Sequence, residues 1–497
     1  MTSLQSVICA RRRADYFADG KMDLMPIRDL VARAAFATGL AFGLMAQSPT
    51  RPSSPPSLPV GLEAPADEQR AVPALPPGLG APLETRTKSV DTEPGFAPPF
   101  GLTGFIEARI GSRIVDDGTQ KSLSIAETRL QLERDFFTPH AAFRFVGDFV
   151  LDGVEDDRAV DLQSGRGFFD LREANAVAQP LSFLDAKAGR QILTWGVGDL
   201  VFINDLFPKD FRAFFIGRDD EYLKAPSDAF RLSAYSDVAN LDVVYTPRFN
   251  SDRFIDGSRL SYFGPSQGSI VGRNPIITAD TPHTWFSDDE VAARLHQNVS
   301  GWELAAYGYH GFWKTPEGAR ADGTPFHPRL SVIGASARGP LEGGIVTGEV
   351  GHYFSHDDAS GNDALIRNSE TRLLVGYERE IATELTATGQ YYVEILSDFS
   401  RLNQNLTPGQ TAPDRARHVL TLRVTQLLFN QNLMLSAFNF WSPNEEDGHL
   451  RFRATYKLSD TWKIEGGGNL FYGREENTFF GQLQDNTNLF VAIRRSF

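Results

Sequence analysis

The sequence predicts an all-β fold, a transmembrane antiparallel up-and-down β-barrel of about 18 strands. Three observations predict it. Apolar and polar residues alternate in segments of about ten residues after position 100. The connections between these segments alternate between short and long. An export-type segment precedes them. The net charge of −14 is unlike the basic face of a nucleic-acid-binding protein, so we expect no nucleic acid as a partner.

Residues 1–46 are predicted to be a signal peptide. Basic Arg28 and Arg33 precede an apolar run over residues 34–46, and two polar residues follow. This is the order of the regions in a secretory signal, with cleavage expected near Ala46. The alternative is a single membrane anchor, although the run is shorter than the span of about 20 residues that an anchor needs. Export through the inner membrane is therefore expected.

Residues 47–100 are predicted to be a disordered periplasmic linker. They are rich in proline, with serine, alanine, glycine and acidic residues between, as in RPSSPPSLPVGLEAP. Such a composition favours extended polyproline II and cannot build a core. The single cysteine, Cys9, lies in the predicted signal, so the sequence excludes an intramolecular disulfide and a thiolate metal cluster.

Residues 101–497 are predicted to form the barrel. The segment 449–458 shows the alternation most clearly, with Leu450, Phe452, Ala454, Tyr456 and Leu458 opposing Arg451, Arg453, Thr455 and Lys457. Two folds have one apolar and one charged face. In a soluble sandwich or solenoid the apolar face is the core, whereas in a membrane barrel it meets lipid and the polar face lines a wet lumen.

The spacing of the strands favours the membrane barrel. Short connections such as 136–141 and 339–340 alternate with long ones. The longest are 193–227, 250–287, 314–327, 355–369 and 397–416. Strict alternation places all long loops on one side, as in outer-membrane barrels with tight periplasmic turns and long external loops. A soluble sandwich has no reason to show it.

The chain ends in an alternating strand whose last residue is aromatic. Leu489, Val491, Ile493 and Phe497 share one face, although Arg495 stands where an apolar residue is usual. This end resembles the assembly signal of Gram-negative outer-membrane barrels, which implies the barrel-assembly machinery and outer-membrane lipid as partners. Aromatic belts at the two membrane surfaces are also expected. The candidates at strand ends are Trp302, Phe312, Trp313, Trp441, Trp462 and Tyr472.

The segment 188–235, which begins AGRQILTWGVGDLVFINDLF, carries a family resemblance. It resembles porin-like proteins of the Gram-negative outer membrane in which a strand ends in GRQ, a WG follows and a charged loop leads to the next strand. The layout is similar to alginate-export and phosphate-selective porins, but no extended lysine ladder of the second kind is present. The resemblance implies a channel for passive diffusion of small hydrophilic solutes and, by analogy, a homotrimer.

The long loop 193–227 is the candidate constriction. It combines aromatic residues, which could anchor a loop inside a lumen, with charges that could face the water and set a transverse field. The alternative is a packed external cap whose ion pairs are structural. The candidate constriction residues are Asp199, Asp205, Arg212, Arg218, Asp219, Asp220, Glu221 and Lys224.

The inward faces of the strands supply candidate pore-lining residues of both signs. Clustered cations in a lumen attract anions, but mixed charges are also typical of a merely solvated wall. The candidates are Glu127, Arg129, Arg144, Asp148, Arg372, Arg423, Arg451, Arg453 and Lys457. Further acids on this face are Glu107, Glu133, Glu349, Glu378 and Glu394.

No catalytic, metal or cofactor site is predicted. The nine histidines are scattered along the sequence and do not form a recognisable catalytic cluster. The runs His356–Asp358 and Asp219–Tyr222 are better explained as loop ion pairs than as metal ligands. The alternative to a diffusion channel is a barrel that serves as a scaffold or conduit for a larger envelope assembly, a reading that the proline-rich lead-in favours.

Overall fold

The structure is a computed structural model that describes residues 101–155, 159–406 and 413–497. The predicted signal peptide, 1–46, and the predicted linker, 47–100, lie outside the described residues. Among the described residues, no helix has the length and apolar character needed to cross a membrane.

Strands make up slightly more than half of the described residues. The strands are β1 Thr103–Arg113, β2 Leu123–Phe137, β3 Ala142–Asp152, β4 Phe169–Leu181, β5 Leu184–Ile192, β6 Pro226–Ala234, β7 Asn240–Thr246, β8 Tyr262–Gly264, β9 Ser269–Val271, β10 Glu290–Val299, β11 Trp302–Phe312, β12 Gly318–Ala319, β13 Pro325–Phe326, β14 Arg329–Leu341, β15 Gly344–Ser355, β16 Glu370–Ala382, β17 Leu385–Leu396, β18 Ala416–Leu428, β19 Leu433–Ser442, β20 Asp447–Lys457, β21 Trp462–Gly473 and β22 Asn488–Ser496. The helices are α1 Phe211–Phe215 and α2 Phe399–Asn405, with 3₁₀ turns at Asp220–Leu223 and Gly481–Asn486.

Eighteen of these strands form one closed antiparallel sheet. Each pairs with the next in the chain, with β7 pairing to β10 and β11 to β14 across two small hairpins, β8–β9 and β12–β13. The ring closes where β22 pairs with β1, from Phe105 opposite Ser496 to Arg113 opposite Asn488. Closure leaves no edge strand in the sheet, which is what a sheet in hydrocarbon requires. The predicted fold and strand number are confirmed.

The connections alternate as predicted. The short ones are 138–141, 182–183, 235–239, 300–301, 342–343, 383–384, 429–432 and 458–461. The connections on the other side are 114–122, 153–168, 193–225, 247–289, 313–328, 356–369, 397–415, 443–446 and 474–487, and all of them except 443–446 are longer than the short ones. Two of the tightest turns, Ser300-Gly301 and Glu342-Gly343, have positive φ at both residues. This is the type I′ geometry that matches the twist of a hairpin.

The two faces of the sheet differ in the predicted sense. On β20, Phe452 is 41% exposed on the outer face whereas the neighbouring Arg451 is 5% exposed on the inner face. Asp148 and Glu127 are likewise buried inside. The described barrel thus carries its apolar residues outward and its charges inward, against a packed interior.

The expected aromatic belt is only partly present. Trp441 and Trp462 lie on the outer face, 43% and 38% exposed. The expectation was wrong for Phe312 and Trp313, which are buried beneath the long loops. The chain turns inward after β11, so the ring of Phe312 lies 5.1 Å from that of Phe249 and Trp313 stacks on Tyr353.

Candidate functional site: a loop inside the barrel

The connection 193–225, which we call the inner loop, lies inside the barrel. Its backbone N–H groups reach Glu349 on β15, and Arg218 forms an ion pair with Glu127 on β2. These two strands stand on opposite sides of the closed ring. Both acids are inward residues within their strands, which a loop above the rim would not reach. The inner loop therefore crosses the lumen, as one of the two predicted alternatives required.

The GRQ motif ties the start of the inner loop to its end. Arg190, near the end of β5, forms an ion pair with Asp228 of β6, at 3.0 Å. The Gln191 side-chain amide donates to the carbonyl oxygen of Ala229, at 2.9 Å. Trp195 is buried edge-on against Phe207, at 4.9 Å between ring centroids. The motif thus fixes where the chain leaves the wall.

Glu349 is the anchor for the first part of the inner loop. One carboxylate oxygen accepts from the backbone N–H groups of Val197 and Gly198, at 3.0 and 3.2 Å. The other accepts from the backbone and side-chain N–H groups of Asn204, at 2.8 and 2.9 Å. Glu349 is only 4% exposed. Four donors on one buried carboxylate replace the water that it gave up.

The glycine of the WG motif makes this approach sterically feasible. Gly196 has φ of +79°, and a Cβ atom there would lie 2.9 Å from the nearer carboxylate oxygen of Glu349. Any other residue would be strained by the backbone angle and crowded by the acid. We call residues 197–204 the latched segment.

Asp199 extends this attachment to two further strands, β17 and β18. Its carboxylate forms a paired contact with the guanidinium of Arg423 on β18, at 2.6 and 2.8 Å. Its backbone N–H and C=O both bond to the side-chain amide of Gln390 on β17. The latched segment is thus fixed along one wall.

Helix α1 packs against strands β20 and β21 through aromatic rings. Asp210 caps the helix by accepting from the backbone N–H of Ala213, at 2.8 Å. The ring of Phe215 packs edge-on against His449 and Phe471 on β20 and β21. The predicted anchoring role of the loop aromatics is visible here.

Asp219 lies at the centre of a dense group of ion pairs. Four wall cations surround it: Arg109 at 3.2 Å, Lys463 at 3.3 Å, Arg453 at 3.4 Å, and Arg494 in direct contact. Burial alone would raise the pKa of Asp219, but these cations hold that pKa well below its usual range. Asp219 is therefore a carboxylate at neutral pH. We call residues 217–221 the ion-paired segment.

The other predicted residues of this region are also brought together. Arg129 pairs with Asp148 at 2.6 Å, and its guanidinium lies 4.4 Å from the centroid of the Tyr222 ring. Asp220 forms an ion pair with Arg451 at 2.8 Å. Charges from loop and wall are therefore in direct contact rather than facing each other across water.

Only some of the candidate constriction residues face open space. The side chains of Glu221, Asp220 and Asp199 are 56%, 46% and 31% exposed. Asp205 and Arg212 are instead buried in the packing of the loop itself. Asp205 pairs with Lys209 at 3.0 Å, and Arg212 donates to the carbonyl oxygen of Ser164. Asp205 thus holds the inner loop to itself and Arg212 ties it to the connection 153–168, and neither side chain lines an opening.

The remaining candidates are spread along the barrel. Lys224 is half-buried, and its carbonyl oxygen accepts from Arg172. Arg372 lies near the long loops, with Glu370 at 2.6 Å. Arg144 lies toward the short turns, with Glu133 at 2.6 Å, and Lys457 ends β20 there. Among the described residues, Arg144, Arg372 and Lys457 form no hydrogen bond or ion pair with the inner loop.

A second loop, 247–289, packs against the inner loop. Arg253 forms ion pairs with Asp170 on β4 at 2.9 Å and with Asp210 at 3.3 Å. Asp252 accepts from the backbone N–H of Lys209, at 2.7 Å. Burial raises the pKa of Asp252 to about 6, against the opposing effect of Lys209. The inner loop is thus held by the loop 247–289 as well as by the wall of the barrel.

Sequence reasoning missed the residues that fix the inner loop. Glu349 was placed on the acidic wall but not assigned as an anchor, and Arg109, Gln390, Lys463 and Arg494 were not singled out. All of them face inward by strand parity, which was a usable signal. The described residues contain no group of three or more His, Cys, Asp or Glu side chains arranged to hold a metal ion.

Comparison with known proteins finds similar barrels. OccAB3 of Acinetobacter baumannii has 10% sequence identity and a TM-score of 0.48, over 80% of this chain and 98% of that one. OccK5 (OpdH) of Pseudomonas aeruginosa has 8% identity and a TM-score of 0.46, over 80% and 97%. A Rhodopseudomonas blastica porin variant has 11% identity and a TM-score of 0.35, over 80% and 99%. No family model matches the sequence. No curated protein matches it either.

Proposed function

We propose that this protein is a channel of the Gram-negative outer membrane for passive diffusion of small hydrophilic solutes, with the inner loop as its constriction. It is a transporter rather than an enzyme. The observation that carries the proposal is the inner loop itself. A closed barrel of 18 strands encloses more space than its side chains fill. A loop fixed to opposite walls of that space narrows the water path without being part of the wall.

The partly exposed charged side chains of the inner loop and the wall would set the charge selectivity of the constriction. Asp199, Asp220 and Glu221 offer negative charge on the loop, and Arg423 offers positive charge on the wall. Charges at a narrow point act on permeating ions at short range, where water screens them little. The proposed channel therefore selects solutes by size and by charge.

Planar-bilayer recording on the purified chain tests the proposal. A stable open current that scales with salt concentration is expected. A barrel that inserts but carries no current would contradict the diffusion channel, and a current that appears only with added envelope proteins would support a conduit for a larger assembly instead.

We further propose that Phe497 is the signal for assembly in the outer membrane. Its backbone N–H and C=O both bond to Gly104 at the start of β1, at 3.0 and 3.1 Å, so this residue completes the ring. Removal of Phe497 should lower the amount of heat-modifiable barrel in outer-membrane fractions. An unchanged amount would contradict the role. A homotrimer remains part of the proposal and is testable by native mass spectrometry in detergent.

A further inference from the structure

Two histidines meet on the outer face of the barrel wall, near the end that carries the long connections. His310 lies on β11, where it alternates with the buried Tyr309, and His356 is the first residue after β15. Both histidine side chains are exposed. Strand β14 lies between β11 and β15, so only the folded sheet brings the two together. The pair faces away from the lumen and takes no part in the constriction.

The two imidazole rings converge on a single hydroxyl group. Ser331 on β14 lies opposite His310 in the sheet, and its Oγ is 2.9 Å from Nδ1 of that histidine. The same Oγ is 2.7 Å from Nε2 of His356. A hydroxyl group has one proton, so it can donate to only one of these nitrogens, and the other has to donate to the oxygen. Two ring nitrogens are thus directed at one place.

The sheet fixes the backbone around the pair. The backbone N–H of His356 donates to the carbonyl oxygen of Arg329 on β14, at 2.9 Å, so His356 is held to the wall although β15 has ended. The two ring centroids are 5.9 Å apart, and the ring planes are inclined by 68°. Two imidazoles on one tetrahedral zinc ion, at Zn–N distances of about 2.0–2.1 Å, have centroids roughly 5 Å apart. Small rotations of the two side chains would therefore bring both nitrogens to one ion.

The chemistry of the two rings suits a transition metal. Nε2 of His310 and Nδ1 of His356 have no hydrogen-bond partner in the described part of the chain. Each can therefore carry the ring hydrogen and leave a lone pair on the other nitrogen for an ion. Neutral imidazole binds zinc, copper and nickel, whereas calcium and magnesium prefer oxygen. Arg329 and Asp357, which lie beside Ser331 and His356 in the chain, have opposite signs and add no net repulsion for a cation.

We propose that His310 and His356 bind one divalent transition-metal ion of the zinc and copper class, with the hydroxyl group of Ser331 or water completing the coordination. The ion ties the start of the connection 356–369 to β11, across β14. Two protein ligands are fewer than the four of a structural zinc site, so the ion is exchangeable and the barrel folds without it. The site lies outside the lumen and goes beyond the proposed channel.

Calorimetric titration with zinc chloride tests the proposal, on the full-length protein in detergent and without a polyhistidine tag. We expect saturable binding at one site per chain. His310→Asn and His356→Asn should each weaken zinc binding at least about tenfold, because each removes one of the two nitrogen ligands. Unchanged affinity in either variant, or no saturable binding by the unmodified protein, would overturn the proposal.

Two other histidines on the outer face are matched controls. Nδ1 of His352 lies 2.9 Å from Oγ1 of Thr371 on the next strand. Nδ1 of His418 lies 2.7 Å from the hydroxyl oxygen of Tyr391 on the preceding strand. Each has one hydroxyl partner, as His310 has, but no second histidine shares that hydroxyl. His352→Asn and His418→Asn should leave the zinc affinity unchanged, and a loss equal to that in His310→Asn would show unspecific binding to surface histidines and overturn the site.

Copper spectroscopy identifies the ligands directly. Electron paramagnetic resonance of the protein with one equivalent of copper(II) should show hyperfine structure from two imidazole nitrogens, and from one in His310→Asn. The same spectrum in both proteins would contradict coordination by His310. Retention of heat-modifiable mobility shows that each variant has folded. A chain that binds zinc at this pair but conducts no ions would refute the proposed channel and leave the site standing, and a conducting chain that binds no zinc would do the reverse.

Discussion

The two halves of the inner loop are held to the barrel in different ways. The latched segment, 197–204, depends on one carboxylate, Glu349, with four N–H donors, supported by Gln390 and the Asp199–Arg423 pair. The ion-paired segment, 217–221, depends on charges from five strands, β1, β2, β20, β21 and β22. In the first, a single side chain satisfies several backbone groups. In the second, Arg109, Arg453 and Arg494 each have more than one acid within reach.

The comparison shows that the number of partners decides how a loop responds to the loss of one residue. A backbone N–H group cannot change its partner without moving the chain. A guanidinium can turn to another acid nearby. A single substitution at Glu349 should therefore displace the latched segment. A single substitution in the ion-paired segment should leave its position unchanged, but it should alter the charge at the constriction.

The largest expected effect is at Glu349. Glu349→Ala leaves buried N–H donors of the latched segment unpaired, at about 1–3 kcal/mol for each donor. The segment should leave the wall, and single-channel conductance should rise. Glu378→Ala is the control, because Glu378 also faces the lumen but accepts a hydrogen bond from the hydroxyl group of Thr388 on the wall and not from the loop. A conductance equal to that of the unmodified protein would show that Glu349 does not hold the constriction.

The second expected effect is on ion selectivity. The double variant Asp220→Asn/Glu221→Gln removes the two most exposed loop acids. The reversal potential should shift in the direction that reports higher anion permeability. Arg423→Gln should shift the reversal potential in the opposite direction, which reports higher cation permeability. A change of roughly twofold in the permeability ratio is expected for each, since charges at a narrow point alter the local ion concentration. Equal shifts in one direction, or none, would exclude these residues from the water path.

Asp219→Asn should have a smaller effect than its buried position suggests. Arg109 and Arg494 keep Glu107, and Arg453 keeps Glu465, so no guanidinium around Asp219 is left alone. We expect a loss of about 2 kcal/mol in the free energy of unfolding, below the 3–5 kcal/mol usual for a broken buried pair. Denaturant titration measures it. A loss above that range would mean that Asp219 is indispensable to the segment.

The smallest expected effect is a pH dependence at Asp252. Because its folded pKa is raised to about 6, its contribution to stability is full below about pH 4 and is lost as pH rises through 6. Asp252→Asn keeps an acceptor for the N–H of Lys209, and its free energy of unfolding at pH 7.5 should exceed that of the unmodified protein by on the order of 1 kcal/mol. The gap should close near pH 4. A gap that does not depend on pH would contradict the assignment.

The sequence by itself determined the barrel. The number of strands between residues 101 and 497 was predictable, because the period-two alternation and the turns are local properties of the chain. The alternating loop lengths followed from the same boundaries. The GRQ and WG residues also marked where the inner loop begins, and Gly196 proved to be the residue that admits Glu349.

Only the tertiary structure decided which charges meet. Glu349 and Asn204 are separated by 145 positions, and Arg494 and Asp219 by 275. No local pattern encodes such pairs, because they depend on closure of the ring and on the loop turning inward. The same reason explains why Asp205 and Arg212 could not be told from pore-lining residues, and why Phe312 and Trp313 were misplaced. Strand parity gives the face on which a side chain lies, whereas the loop that covers it is given only by the folded chain.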